Sequence, residues 1–145
     1  MVIEPASADY GIWFRRVDVL EGDQLIAARW DNVEQTALCT RIRNASGVSV
    51  STIEHIMAAL AGCGVHNALI EIDGPEVPIL DGSSAPFVRG IMARGVQPQS
   101  APVLAYEILK PVTVERDGAR ATLVPENRLI IEFEIDFADA AIGRQ

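Results

Sequence analysis

The chain has 145 residues, of which 49% are hydrophobic, enough for one ordinary domain with a buried core or for a small domain plus a fragment. The net charge is −8 and no cluster of Lys and Arg is present, which disfavours binding to nucleic acid or to an anionic membrane. The sequence contains no long apolar run and no signal-peptide pattern, so we expect a cytoplasmic protein without a transmembrane segment. Its two cysteines form no C-x-x-C pair and are expected to be reduced thiols.

The first half of the chain alternates strand patterns with one clear helix. Strands are predicted at residues 2–3, 10–14, 24–30, 36–42 and 48–50, and the first of these resembles the end of a strand whose beginning is absent. Ser51 followed three residues later by Glu54 is the pattern of a capping box, which predicts a helix that begins at or close to Ser51. The apolar face of this helix is predicted from 3.6-residue spacing and comprises Ile53, Ile56, Met57 and Leu60.

A strand with one buried face is predicted at residues 67–73, followed by a loop at 78–84 whose Asp81 or serines would cap a second helix. That helix contains Pro86 in its first turn and ends at Gly95, and its predicted buried side is formed by Phe87, Val88, Ile91 and Met92.

Residues 97–102 are polar and proline-bearing, and we predict that they form a linker. Beyond them, only strands are predicted, at residues 103–109, 112–115, 119–124 and 129–137, with a hairpin turn at Asp117-Gly118. We therefore expect a first α+β domain at residues 1–96, with its N-terminal strand truncated, and an incomplete second domain at residues 103–145.

Glu54 and His55 are the candidate functional pair, because adjacent helical residues point about 100° apart and suit divided roles. His55 would bind a metal while Glu54 acts as a base. The pattern alone favours a plainer alternative, in which Glu54 only completes the capping box and His55 is an exposed helical residue. Three other residues have structural interpretations that outweigh functional ones: His66 as a turn residue, Cys39 as a small buried strand residue, and Asp81 as a helix cap.

The sequence resembles a known enzyme family along essentially its whole length. The matching motifs are STIEHIMAALAG at residues 51–62, HN at 66–67, EI at 71–72 and GPEVPILDGSSAPFV at 74–88, with further matches at 11–16, 38–40, 112–114 and 133–137. These motifs resemble the zinc-dependent UDP-3-O-acyl-N-acetylglucosamine deacetylases of Gram-negative lipid A synthesis. The match is long and specific.

The resemblance implies a site and a fold. His55 matches the first zinc ligand, Glu54 matches the general base that takes a proton from the water attacking the acetamide, and Leu38 and Cys39 match a loop at the rim of the zinc site. The implied fold class is α+β, a two-layer domain of a mostly antiparallel sheet with two packed helices, followed by the strand portion of a second similar domain. The implied substrate is UDP-3-O-acyl-N-acetylglucosamine, and the implied cofactor is zinc.

Other family residues have no counterpart in this sequence. The family has two more zinc ligands, a histidine and an aspartate four residues apart on a helix of the second domain, and a later catalytic histidine, whereas no histidine follows His66 here. We therefore expect the N-terminal half of the enzyme, as a cloned piece or a truncated gene product, with low zinc occupancy and no activity alone.

The alternative hypothesis is a non-catalytic module with a deacetylase-like fold. Such a module would act by association, burying the helix face that a missing second domain leaves bare. Its partner would be a second copy of the chain, the missing C-terminal half or another protein.

Overall fold

The computed structural model describes residues 1–145 and divides them into two compact units, Met1–Val103 and Leu104–Gln145. The first unit contains seven strands and two helices in the order β1 (Val2–Pro5), β2 (Ile12–Arg16), β3 (Leu25–Ala27), β4 (Val33–Glu34), β5 (Arg41–Arg43), β6 (Ser49–Val50), α1 (Glu54–Gly62), β7 (Ala68–Ile72) and α2 (Ala85–Arg94). A short 3-10 helix, Trp30–Asn32, precedes β4. The predicted α+β class is confirmed. Neither helix has the length and hydropathy needed to span a bilayer.

Strand β7 is one of the two inner strands of the larger sheet, whose order is β1-β7-β2-β3. It pairs antiparallel with β1 and parallel with β2, and β2 pairs antiparallel with β3. Its alternate residues Ala68, Ile70 and Ile72 are buried, which confirms the predicted strand with one buried face. A second, fully antiparallel sheet has the order β4-β5-β6.

One apolar core is shared by the two sheets and the two helices of this unit. Large buried side chains come from β2, β3, β5, α1, β7 and α2, among them Phe14, Ile26, Ile42, Ile56, Leu60, Ile70 and Phe87. In α2, Phe87 and Ile91 lie one helical turn apart and both pack on the core. Met92 is exposed, so its predicted place on the buried side is wrong. It lies about 140° around the helix from Phe87, which turns it to solvent.

The segment 36–42 was predicted as one strand, and most of it is a loop. Only β5, at Arg41–Arg43, is a strand there. Leu38 has φ +66°, a left-handed conformation that interrupts an extended chain. Cys39 is therefore a half-buried loop residue rather than a buried strand residue.

The second unit contains one hairpin, β8 (Val112–Arg116) and β9 (Ala119–Leu123). Asp117 and Gly118 have φ +50° and +82°, as the predicted two-residue turn requires. The strands predicted at 103–109 and 129–137 are absent, apart from a single bridge between Asp136 and Arg144. Phe133 is 80% exposed. Alternating hydrophobicity makes a strand only where a neighbouring strand pairs with it, and none of the described residues does so here.

The loop before α2 is ordered by two side chains. Asp81 Oδ1 accepts hydrogen bonds from the hydroxyl and the N–H of Ser83, at 2.8 and 3.0 Å. The Ser83 hydroxyl in turn accepts from the N–H of Ala85, the first residue of α2, at 3.2 Å. Ser83 therefore contacts the helix directly, and Asp81 holds Ser83. The hydroxyl bond, followed by the N–H bond, lowers the pKa of the Asp81 carboxyl.

Two leucines of opposite exposure test whether the shared core stabilises the first unit. Leu60 is 1% exposed and Leu20 is 93% exposed. Leu60→Ala should lower the free energy of unfolding by about 2–5 kcal/mol, because it leaves a cavity beneath α1. The matched substitution Leu20→Ala should change it by less than about 0.5 kcal/mol. Urea denaturation followed by circular dichroism measures both, and equal losses would contradict this account of the core.

The Asp81–Ser83 contact is testable by titration. Ser83→Ala removes the hydroxyl donor, the larger cause of the lowered pKa, so the pKa of Asp81 should rise toward its ordinary value. Carbon-detected NMR of the Asp81 carboxyl measures the shift. Ser46→Ala, at an exposed turn, serves as the control and should leave the pKa of Asp81 unchanged. An unmoved pKa in Ser83→Ala would contradict the contact.

Candidate functional site at the start of helix α1

Helix α1 begins at Glu54, and the predicted capping box is wrong. The cap position is Ile53, with no side-chain hydrogen bond to the helix. Ser51 instead pairs with the segment around Glu76: its N–H donates to Pro75 O at 2.9 Å and its carbonyl accepts from Val77 N–H at 3.0 Å. Ser51 thus lies in a short parallel bridge, three residues before the first helical residue. A capping serine must occupy the residue next to the helix.

The carboxylate of Glu54 reaches the loop before β5. Its Oε2 atom accepts a hydrogen bond from the Thr40 N–H at 3.0 Å, and the Thr40 carbonyl accepts from the Ile53 N–H at 3.3 Å. This reciprocal pair of bonds ties the loop to the first turn of α1. The other oxygen, Oε1, makes no hydrogen bond or ion pair within the chain. Glu54 therefore presents one oriented oxygen that can accept a proton.

His55 is half-buried and makes no hydrogen bond or ion pair within the chain. Its ring nitrogens are thus available to an external ligand, and neutral imidazole is a common ligand of zinc. The side chain points about 100° around the helix from Glu54, which keeps the two groups from sharing one role. No group of three or more His, Cys, Asp or Glu side chains in the chain could hold a metal ion. The donors present do not form a closed zinc site by themselves.

The predicted rim residues lie in the loop that contacts Glu54. Leu38 is fully exposed and Cys39 is half-buried. The Thr36 hydroxyl donates to the Cys39 carbonyl at 2.7 Å, which folds the loop on itself. Thr40 then joins this folded loop to α1. The structure therefore connects the rim loop to Glu54 through a backbone N–H.

Two residues at this site were missed from the sequence. Thr40 acts through its backbone N–H, which every residue but proline carries, so its side chain offers no signal. Thr52 is 6% exposed and has φ +60°. A β-branched residue is rare in this conformation, so no sequence rule would have placed it there. Its hydroxyl donates to Glu76 Oε1 at 2.7 Å.

The remaining candidates are not part of this cluster. His66 is exposed in the segment between α1 and β7. Asp81 contacts Ser83, and no contact joins it to Glu54.

The chain is similar to known proteins along its whole length. The family model described as UDP-3-O-acyl N-acetylglycosamine deacetylase matches residues 1–145. Proteins named UDP-3-O-acyl-N-acetylglucosamine deacetylase are similar to the chain throughout. That of Phenylobacterium zucineum is 49% identical over 145 residues, covering 100% of this chain and 50% of the relative. That of Idiomarina loihiensis is 46% identical over 143 residues, covering 99% and 46%. That of Thermosynechococcus vestitus is 45% identical over 145 residues, covering 100% and 50%.

The chain spans about half the length of the curated relatives it matches. The match of the family model nevertheless extends over every residue, including the turn that carries Glu54 and His55. The chain therefore belongs to the UDP-3-O-acyl-N-acetylglucosamine deacetylase family.

Proposed function

We propose that this chain forms part of a zinc-dependent deacetylase that removes the acetyl group from UDP-3-O-acyl-N-acetylglucosamine. Glu54 accepts a proton in the reaction, His55 provides one zinc ligand, and the loop with Leu38 and Cys39 borders the site. Support for the substrate class comes from the names of the relatives. The observation that carries the proposal is the Glu54 carboxylate, held by the Thr40 N–H through one oxygen and unbonded at the other.

The way in which the Glu54 side chain is held supports its proposed role. A general base must lie within hydrogen-bond reach of the proton it takes, and a fixed orientation lowers the cost of reaching that geometry. The bond from Thr40 restricts the carboxylate without using both oxygens. Oε1 is then the atom that accepts the proton of the attacking water. The same proton can later pass to the leaving amine, which needs one on departure.

The role of His55 is limited to one ligand. Catalytic zinc sites in proteins usually have about three protein ligands and one open position. Zinc, when bound, would polarise the acetamide carbonyl. This chain offers only His55 next to Glu54, so its own residues do not fit a complete zinc site. The family resemblance implies that the other ligands are a histidine and an aspartate of a second domain.

Several expectations from the sequence stay predictions. These are the cytoplasmic location, the Gram-negative source and the domain boundaries at residues 96 and 103. The same holds for the lack of activity of the isolated chain.

One observation favours the alternative of a module that acts by association. In the unit Leu104–Gln145, large apolar side chains are well exposed, among them Leu104, Tyr106, Leu129 and Phe133. Apolar surface of this kind commonly marks a protein contact. A catalytically silent complete protein that forms a stable dimer would favour this alternative over the deacetylase.

Glu54→Gln tests the proposed base. Glutamine retains an oxygen that can accept from the Thr40 N–H, but it cannot take a proton, so the fold should persist while the reaction slows. In a complete deacetylase that contains these residues, kcat should fall by about a factor of 10²–10⁴. Steady-state hydrolysis of the acetamide measures it. Glu21→Gln, at an exposed site, is the control. Loss of a general base lowers kcat by far more than about threefold, so a Glu54→Gln variant within that factor of wild type would refute the role of Glu54 as a base.

The incomplete ligand set predicts the behaviour of the 145-residue chain alone. After dialysis against metal-free buffer, it should retain far less than one zinc per chain, because one imidazole binds zinc weakly compared with three ligands. It should also show no deacetylation. Atomic absorption and an amide hydrolysis assay measure the two properties. One tightly held zinc per chain together with turnover would show that the chain completes the site by itself.

A further inference from the structure

Thr52 has an unusual backbone conformation two residues before Glu54. Its φ of +60° lies in the left-handed region, which β-branched residues rarely enter. The residue is 6% exposed, and it is the only buried polar residue of the chain. Strained conformations of this kind persist only where the surrounding contacts hold them, and they are enriched at functional sites.

Three bonds to one short segment hold Thr52 and its neighbour. The Thr52 hydroxyl donates to Glu76 Oε1 at 2.7 Å. Ser51 is bonded to Pro75 and Val77, the residues on either side of Glu76, at 2.9 and 3.0 Å. Val77 is itself buried in the core, which fixes this segment. The turn into α1 is thus attached to a rigid support.

The direction of the chain at Thr52 decides where α1 begins. Before Thr52 the backbone runs in the bridge with Glu76, and after it the Ile53 N–H bonds to Thr40. The next residue is Glu54, whose carboxylate accepts from the same Thr40. A change of backbone direction at Thr52 would therefore move Ile53 and Glu54 away from Thr40 together.

We propose that Thr52 and Glu76 form a positioning pair that sets the place of Glu54 and His55. Neither residue touches the reacting groups; the hydroxyl–carboxylate bond holds the left-handed turn, and the turn places the first residues of α1. The catalytic consequence rests on the function proposed above for Glu54. The structural consequence does not, because the Glu54–Thr40 bond is present in the chain itself.

Hydrogen exchange on the 145-residue chain tests the structural part. The Thr40 amide reports the bond to Glu54, and the Ile70 amide in β7 reports global unfolding. Thr52→Val preserves shape but removes the hydroxyl, and Glu76→Ala removes the acceptor. Each substitution should raise the exchange rate of the Thr40 amide about tenfold relative to that of Ile70, which is the change expected when one hydrogen bond to a charged group is lost.

Two conservative variants serve as matched controls. Thr52→Ser retains the hydroxyl and Glu76→Gln retains an acceptor oxygen. Both variants should leave the exchange rate of the Thr40 amide within about twofold of wild type, because no hydrogen bond is lost. The double variant Thr52→Val with Glu76→Ala should exchange no faster than either single variant, because both remove one bond. Equal acceleration of Thr40 and Ile70 would indicate a general stabilising role and overturn the proposal. So would unchanged Thr40 exchange.

Kinetics in a complete deacetylase that contains these residues test the catalytic part. Thr52→Val should lower kcat about tenfold with little change in KM, and Thr52→Ser should restore it. Glu54→Gln is measured alongside. If Glu54→Gln remains active, the proposed function fails whatever Thr52 does. If Glu54→Gln is inactive and Thr52→Val keeps full kcat, the positioning role is overturned and the proposed function stands.

Discussion

The hydrogen bond from the Thr40 N–H to Glu54 Oε2 is the contact on which the candidate site depends. It joins a loop that leads into β5 with the first residue of α1, and the Thr40 carbonyl completes the connection through Ile53. Without it, the Glu54 carboxylate would rotate freely at the end of its side chain. With this bond, Oε2 is held in place and Oε1 is left unbonded in a defined orientation.

Apolar burial holds the helix in place, and the polar contacts orient its first turn. Complete burial of Ile56 or Leu60 contributes about 1.5–3 kcal/mol each, and both are fully buried. A hydrogen bond to a charged group contributes about 1.5–3 kcal/mol, and one between neutral groups about 0.5–1.5 kcal/mol. The stability of α1 is thus dominated by the core, to which several such side chains contribute. The hydrogen bonds of Glu54 and Thr52 are few. They orient the first turn of α1 and do not decide whether the helix forms.

Most patterns that depend on local periodicity predicted the structure well, although the placement of Met92 on the buried side of α2 was wrong. The buried alternation in β7 and the hairpin turn at Asp117-Gly118 are present as predicted, because both follow from residues adjacent in sequence. Predictions that depend on distant partners were wrong. The strands at 103–109 and 129–137 lack a pairing neighbour among the described residues, and Ser51 bonds to Pro75 and Val77 rather than to the helix.

The candidate site shows the same division. Glu54 and His55 were named as candidates from the sequence, and the structural alternative for Glu54, a capping box with Ser51, was wrong. Its actual partner is a backbone N–H fourteen residues earlier in the chain. The support from Glu76 at Thr52 likewise comes from a segment that only the fold brings close. The two side chains could be proposed as candidates from the sequence, whereas the contacts that orient Glu54 could not be predicted from it.

Zinc affinity in two histidine variants of a complete deacetylase tests the central claim most directly. His55→Ala removes the proposed ligand, while His66→Ala removes the other histidine of this chain, which is exposed outside the site. Competition with a chelator should show that His55→Ala binds zinc at least about a hundredfold more weakly than the wild type, because loss of a direct ligand costs more than loss of a residue that only supports a ligand. The zinc affinity of His66→Ala should be unchanged. Equal zinc affinity in the two variants would contradict the assignment of the site to the start of α1.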